Sequence, residues 1–202
     1  MKKQKVILIG AGGHCKACID VIESNSMYEI VGIVDNNVKD DILGYPILGT
    51  DENLKDLIKQ YRNVCITVGQ IKSPEVRKRL FTTASQLGAS FPTFISSRAY
   101  VSKYSTIGQG CIVMHGATIQ ANSIVGENCI INDHSLVEHD CTVGRNCHIS
   151  TGALINGGVS VGDDTFIGSR AVIFQSVSIG EKVVVGAGVV VKENIADGVM
   201  LK

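Results

Sequence analysis

His139 stands between two carboxylates in the run Asn132-Asp133-His134-Ser135-Leu136-Val137-Glu138-His139-Asp140. An imidazole titrates near neutral pH. An adjacent carboxylate fixes its tautomer and supports its protonated form, which equips it as a general base. Eighteen residues on comes Gly157, followed by Gly158. A backbone without side chains leaves space for a narrow ligand and offers N–H groups to an oxyanion. A second set of chemically suggestive residues lies near the start. Lys5–Ile9 reads as an apolar strand running into Gly10-Ala11-Gly12-Gly13-His14, then an apolar helix-compatible stretch to about Ser24. Such a turn brings backbone N–H groups and the positive end of a helix dipole against a phosphate. Asp35 closes the next apolar run, Ile30–Val34, where a carboxylate accepts hydrogen bonds from ribose hydroxyls. The turn reads either as a phosphate cradle or as a tight β–α connection, and His14 either faces the pyrophosphate or caps the helix. A full dinucleotide fingerprint would have a third Gly where Cys15 stands, and there is room for only one mononucleotide half. One nucleotide fits better than NAD.

The element that must position His139 is a repeat. From Ile95 to Val191 every sixth residue is Ile or Val, seventeen times without a slip. Two residues before it the side chain is small in nearly every hexad (Ser105, Cys111, Ala117, Ser123, Cys129), with Val159 the exception. Gly often follows the aliphatic residue, as at Gly108, Gly126 and Gly168. A helix repeats at 3.6 residues and cannot hold a strict six. A hexapeptide period specifies a parallel β-helix, three hexads to a triangular coil, roughly 5–6 coils here. The aliphatic residue points inward and stacks on its equivalent one coil later. The glycines are predicted to serve turns that need unusual backbone angles. His115, His134, His139 and His148 take neither the aliphatic nor the small position, which predicts that they lie at the surface or at corners.

The glycine turn belongs to an alternation of strands and helices. Val64–Val68 reads as a strand. Asp51 is placed to cap a helix to about Gln60, and Ser73-Pro74-Glu75 opens another to about Leu87. The fold class is therefore an α/β Rossmann-like domain, residues 1–92, followed by an all-β parallel β-helix, residues 93–202. The chain carries 19 basic and 19 acidic side chains, net charge +0, so neither nucleic acid nor an anionic membrane is indicated as a partner. The apolar run Val6–Ile9 is too short for a signal peptide or a membrane-spanning helix. Four of the seven cysteines, Cys111, Cys129, Cys141 and Cys147, fall on the small interior position and read as buried apolar groups. Cys15 and Cys18 lack a second pair for zinc, so no metal is expected. The expected setting is a reducing cytoplasm.

Taken together, Gly10–His14, Asp35, Tyr45-Pro46-Ile47-Leu48-Gly49, the hexads and Val137-Glu138-His139-Asp140-Cys141 resemble the nucleotide-activated amino-sugar N-acetyltransferases, relatives of the sialic acid O-acetyltransferases. The resemblance implies a left-handed β-helix, a homotrimer, and acetyl-CoA bound in a cleft between two subunits. It implies His139 as general base, Asp140 as its orienting acid and Asn132 as a supporting polar residue. It places His148 near the acetyl carbonyl, Gly157 beside the thioester and Gly168 onward along the CoA groove. Gly12, Gly13, His14 and Asp35 would bind the sugar nucleotide. Two features depart from the family. Cys15 replaces the usual Gly or Ala, and Asp197-Gly198-Val199-Met200-Leu201-Lys202 lacks the common Gly-x-Pro-Ala tail.

The implied reaction is direct acyl transfer to the amine of a UDP- or dTDP-linked amino sugar, 4-amino-4,6-dideoxy, for surface glycan biosynthesis. On this reading His139→Ala loses nearly all turnover while keeping nucleotide affinity. O-acetylation of a free sugar acid such as sialic acid is the enzymatic alternative. A nucleotide-sugar-binding or scaffolding trimer without turnover is the non-enzymatic one, against which the His139-Asp140 pair argues. Metal-dependent hydration, as in carbonic anhydrases built on this helix, would use His134 and His139. Its third ligand would fall where Arg98 or Lys103 stands.

Overall fold

A computed structural model describes residues 3–71 and 73–202. The first part is a four-stranded parallel sheet, β1 (Gln4–Ile9), β2 (Tyr28–Val34), β3 (Ile47–Gly49) and β4 (Asn63–Ile66), in the order β3-β2-β1-β4. Helices α1 (Gly13–Glu23), α2 (Leu54–Tyr61) and α3 (Glu75–Gln86) connect and cover it. β3 was not expected from the sequence: it has three residues, all half-buried, and pairs only with β2. The helix expected from Asp51 begins instead as a 3₁₀ turn, Asp51–Asn53, capped by Thr50 and Asn53. α3 begins at Glu75 with Pro74 rather than Ser73 at its N-cap, although the Ser73 hydroxyl accepts from the Glu75 N–H at 3.2 Å.

From Phe94 onward the chain winds into a three-sided prism of two-residue strands. Up to Val191, strands eighteen residues apart pair in parallel, as Ile130↔His148 and Val137↔Ile155 show. The first face runs from Phe94–Ile95 to Met200–Leu201, seven strands; the second from Tyr100–Val101 to Val190–Val191, six; the third from Thr106–Ile107 to Ser178–Ile179, five. The C-terminal residues thus complete the first face, where Val184↔Met200 and Val185↔Leu201 pair. The hexad aliphatics are the core: Val113, Ile119, Ile131, Val137, Ile149 and Ile155 are 0% exposed. Each such burial stabilises by about 1.5–3 kcal/mol. On the early coils of the first face the outward residues are covered too, whereas Met200 at its far end is 56% exposed. Phe94, Ile112, Met114 and Ile130 pack into one cluster with Val6, Leu8 and the inner side of α1, so the α/β domain sits on this face.

The small position has a second reason besides space. In the column Thr93, Cys111, Cys129, Cys147, Thr165, each hydroxyl or thiol donates to a carbonyl of the next coil. Thr93, Cys111, Cys129 and Thr165 also accept the N–H of the residue stacked on them. Cys111 Sγ donates to Gly126 O at 3.0 Å and accepts from Cys129 N–H at 3.3 Å. Thr165 does the same with Gly180 O and Val183 N–H. Burial pushes the Cys129 thiol well above its ordinary value, which leaves it unreactive.

The glycines after the aliphatic residues need correction. Gly108, Gly126 and Gly168 do not have positive φ. A Cβ on Gly168 would lie 2.6 Å from the backbone of the next coil at Gly186 and Ala187, so close approach excludes any side chain. The left-handed backbone falls two residues later, at Gly110, Asn128, His134 and Asp140, with φ of 69°, 57°, 55° and 61°.

Candidate active site

Sheet order reverses direction between β1 and β4, and the carboxyl ends of parallel strands open a crevice at such a point. A cavity of about 510 Å³ lies there. It is lined by the glycine turn after β1, Asp35 after β2, Thr67–Ile71 after β4 and His148 of the prism. Gly10 has φ +107, and a Cβ on it would run into Val68. A Cβ on Gly12 or Gly13 would meet nothing within 4 Å. Gly10 is therefore needed to make the turn, whereas Gly12 and Gly13 keep its surface bare where α1 begins. Asp35 fastens the turn: Oδ2 accepts from Ala11 N–H at 2.8 Å, and Oδ1 from Asn37 and Val38 N–H at 2.8 and 3.0 Å. Burial opposes its charge, but these three donors hold the carboxyl below its ordinary value. Cys15 faces the core, fully buried.

His148 is not at the surface as its hexad position predicts. It points outward from the first face, but the loop after β4 covers it and leaves it 6% exposed. Its Nδ1–H donates to the Gln70 carbonyl, and Nε2 accepts from Asn132 Nδ2 at 3.1 Å. Phe166, one coil on, meets its ring edge-on at 5.2 Å. Burial pushes His148 down to about 4, with the Arg77 guanidinium adding to the effect. His14 lies 6.5 Å from it between ring centroids and is pushed down to about 3 by burial, Arg77 and His148. Both imidazoles are neutral at physiological pH.

His139 has the opposite setting. It sits on the exposed edge between the second and third faces. The left-handed turn at Asp140 folds that carboxylate back, so that His139 Nδ1–H donates to Asp140 Oδ2 at 2.7 Å. Asn122, stacked eighteen residues earlier, donates to Asp140 Oδ1 at 2.6 Å. The Asp140 hydrogen bond, against slight desolvation, raises His139 above its ordinary value. Nε2 is left as the acceptor. It lies over Gly157, where a Cβ would come within 2.9 Å of it. Gly158 N–H donates to His139 O at 3.0 Å, while Gly157 N–H donates to no backbone carbonyl among the described residues.

The predicted residues thus form two groups. Gly12, Gly13, His14, Asp35 and His148 line one cavity. His139, Asp140 and Gly157 share one edge. Asn132 joins His148 rather than His139, being on the corner between the first and second faces. In a three-sided prism the edge between the second and third faces lies opposite the first, so one chain does not bring the groups together. Gly168 lies two coils on from Asn132, on the corner between the first and second faces and away from the His139 edge.

The sequence matches the PglD N-terminal domain over residues 5–84 and the bacterial transferase hexapeptide (six repeats) over 104–139, 122–157 and 140–175. Residues 158–193 match the hexapeptide repeat of succinyl-transferase. The acetyltransferase domain of PglB from Neisseria gonorrhoeae is 32% identical, covers 98% of this chain and 96% of its own, and superposes with a TM-score of 0.92. It is also known in complex with acetyl coenzyme A. PerB from Caulobacter crescentus, in complex with CoA and GDP-perosamine, is 34% identical over 97% of this chain and 92% of its own, with a TM-score of 0.91. The chain belongs to the nucleotide-sugar N-acetyltransferases of the hexapeptide family. Comparison with curated protein sequences finds no match.

As a member of that acyltransferase family the protein is an enzyme, and the family's two parts correspond to its α/β domain and its prism. Sequence reasoning missed Asn122 and Gln70. Asn122 stands eighteen residues before Asp140 and was open to the same coil arithmetic that paired His139 with Gly157. Gln70 follows β4, the strand flanking the crevice, and that signal needed the strand order.

Proposed function

We propose that this N-acetyltransferase uses acetyl-CoA to acetylate the amine of a nucleotide-linked amino sugar, a 4-amino-4,6-dideoxyhexose on UDP or dTDP, for a surface glycan. One observation carries the reading: the glycine turn of the α/β domain and His148 of the acyltransferase prism line a single cavity. The pyrophosphate would lie against Gly12, Gly13 and the start of α1, and the ribose near Asp35. A smaller adjoining cavity of about 170 Å³, which shares Gly10 and Asp35 and adds Asn36, Asp51 and Arg79, suits the base. The sugar then points toward His14 and His148. That a relative, PerB, holds GDP-perosamine makes GDP the natural contrast to UDP and dTDP.

The base for such an acceptor comes from a second copy, because His139 is on the edge opposite the cavity. A row of apolar side chains on the second face supports that assembly, with Tyr100 57%, Leu154 37% and Val190 51% exposed. We place His139 and Asp140 of one protomer at the cavity of the next within a homotrimer, with acetyl-CoA between them and Gly168 along its groove. The neutral amine attacks the thioester carbonyl, His139 Nε2 takes the proton, and CoA departs as thiolate. The oxyanion is met by Gly157 N–H. His148, neutral and fixed by Asn132, is proposed to orient the acetyl group. Among the described residues no helix is long and apolar enough to cross a membrane. A cytoplasmic setting is proposed, in keeping with seven buried free thiols.

The test is release of free thiol from acetyl-CoA with UDP-, dTDP- and GDP-linked 4-amino-4,6-dideoxyhexoses as acceptors, and sialic acid as contrast. Saturable release with a nucleotide amino sugar supports the reading. Release with sialic acid alone replaces it with O-acetylation.

A further inference from the structure

Gln70 is 2% exposed, yet neither its side-chain oxygen nor its nitrogen has a hydrogen-bond partner among the described residues. His14 Nε2 is buried and unpartnered as well. Unpaired buried polar groups are unfavourable and rare, so one amide and one imidazole left open in the wall of a single cavity call for a missing partner. Both residues line the 510 Å³ cavity, at the part that His148 closes. The backbone around Gln70 is fixed, because its carbonyl accepts from His148 Nδ1. What remains free is the amide, with an NH2 donor group and a carbonyl acceptor side by side.

We propose that Gln70 is the specificity-determining residue for the sugar ring: its amide donates to one ring hydroxyl and accepts from its neighbour, with His14 Nε2 as the second contact. The inference rests on the reading that a nucleotide sugar occupies the cavity. A vicinal pair of hydroxyls matches the amide's paired donor and acceptor, which neither a lone amine nor a phosphate oxygen does. Specificity gained this way is steep, since a sugar lacking those hydroxyls leaves the buried amide unpaired.

Gln70→Met tests the proposal, being close in volume and free of hydrogen-bonding groups; Gln70→Ala is the second variant. Ligand-free Gln70→Met should melt no lower than the parent, because it removes an unpaired amide from the interior. KM for the nucleotide amino sugar should rise about tenfold or more, the worth of one lost hydrogen bond of ordinary strength. By titration calorimetry, affinity for the parent nucleoside diphosphate, and by kinetics KM for acetyl-CoA, should stay within about twofold. The parent's preference for the sugar over its ring-deoxy analogue should disappear in both variants. An unchanged KM and preference would overturn the proposal alone. Equal weakening of nucleoside diphosphate and nucleotide sugar would also overturn it, assigning Gln70 a structural role. Failure of the parent to bind any nucleotide sugar would overturn both the proposal and the reading beneath it.

Discussion

The edge that carries His139 and the cavity that holds His14 and His148 use the same side chain for opposite purposes. On the edge, imidazole is exposed, and a carboxylate 2.7 Å away makes it a better base. In the cavity, burial makes two imidazoles so weakly basic, at about 3 and about 4, that they act only as neutral hydrogen-bonding groups. Proton transfer needs a group that changes charge near working pH. Orienting an acyl group and a sugar needs groups that do not. On the proposed reading these demands are separated across the prism, and assembly of protomers would rejoin them.

Loss of the edge histidine should have the largest effect. His139→Ala is expected to lower kcat by about 10²–10⁴-fold, the usual worth of a general base, with nucleotide affinity and Tm unchanged. Steady-state thiol release and calorimetry check this; wild-type turnover would remove the chemical half of the comparison. Mixing tests the separation itself. If an inactive His139→Ala chain and a chain with its cavity blocked by Gly13→Val are unfolded together and reassembled, about a quarter of the sites receive both intact halves. Activity absent from both parents should return to about that level. Continued silence would place both halves of each site in one chain.

Asp140→Asn sharpens the electrostatic side. His139 lies above 6.5 through its hydrogen bond to Asp140, so kcat should rise with pH through an inflection above that value. Without the charge the inflection should move down, and the plateau should fall on the order of tenfold as the base weakens. The smallest effect concerns stability. Neutral burial of His14 and His148 lowers their folded values below 6.5, so the unfolded chain binds more protons at lower pH. Their contribution is full above 6.5 and declines as pH falls toward about 4 for His148 and about 3 for His14. The loss is on the order of 1.4 kcal/mol per pH unit and histidine. His148→Gln should flatten part of that slope in urea titrations at pH 4 to 6.5, and an unaltered slope would show that the cavity histidine does not titrate with folding.

The prism was legible because its period is local and its arithmetic rigid. Val137 predicts Ile155, and His139 predicts Gly157, from spacing alone. The sequence also marked Gly10–His14 and Asp35, because a β–α turn and a strand end need only neighbouring residues to be recognised. The reason for the glycines was less visible. A side chain excluded at Gly168 by the next coil looks, in a one-dimensional pattern, the same as one excluded by backbone angle. Asn132 was grouped with His139 through the family resemblance, although the second face of the prism lies between them.

By itself, then, the sequence determined the two folds and marked the candidate reactive groups, since both follow from short-range periodicity and side-chain chemistry. Only the tertiary structure decided that His148 is buried and neutral, that Asn132 serves it, and that Gln70 is left unpaired. Those facts depend on the α/β domain lying against the first face of the prism, a contact between residues as distant as Gln70 and His148 that no local spacing records.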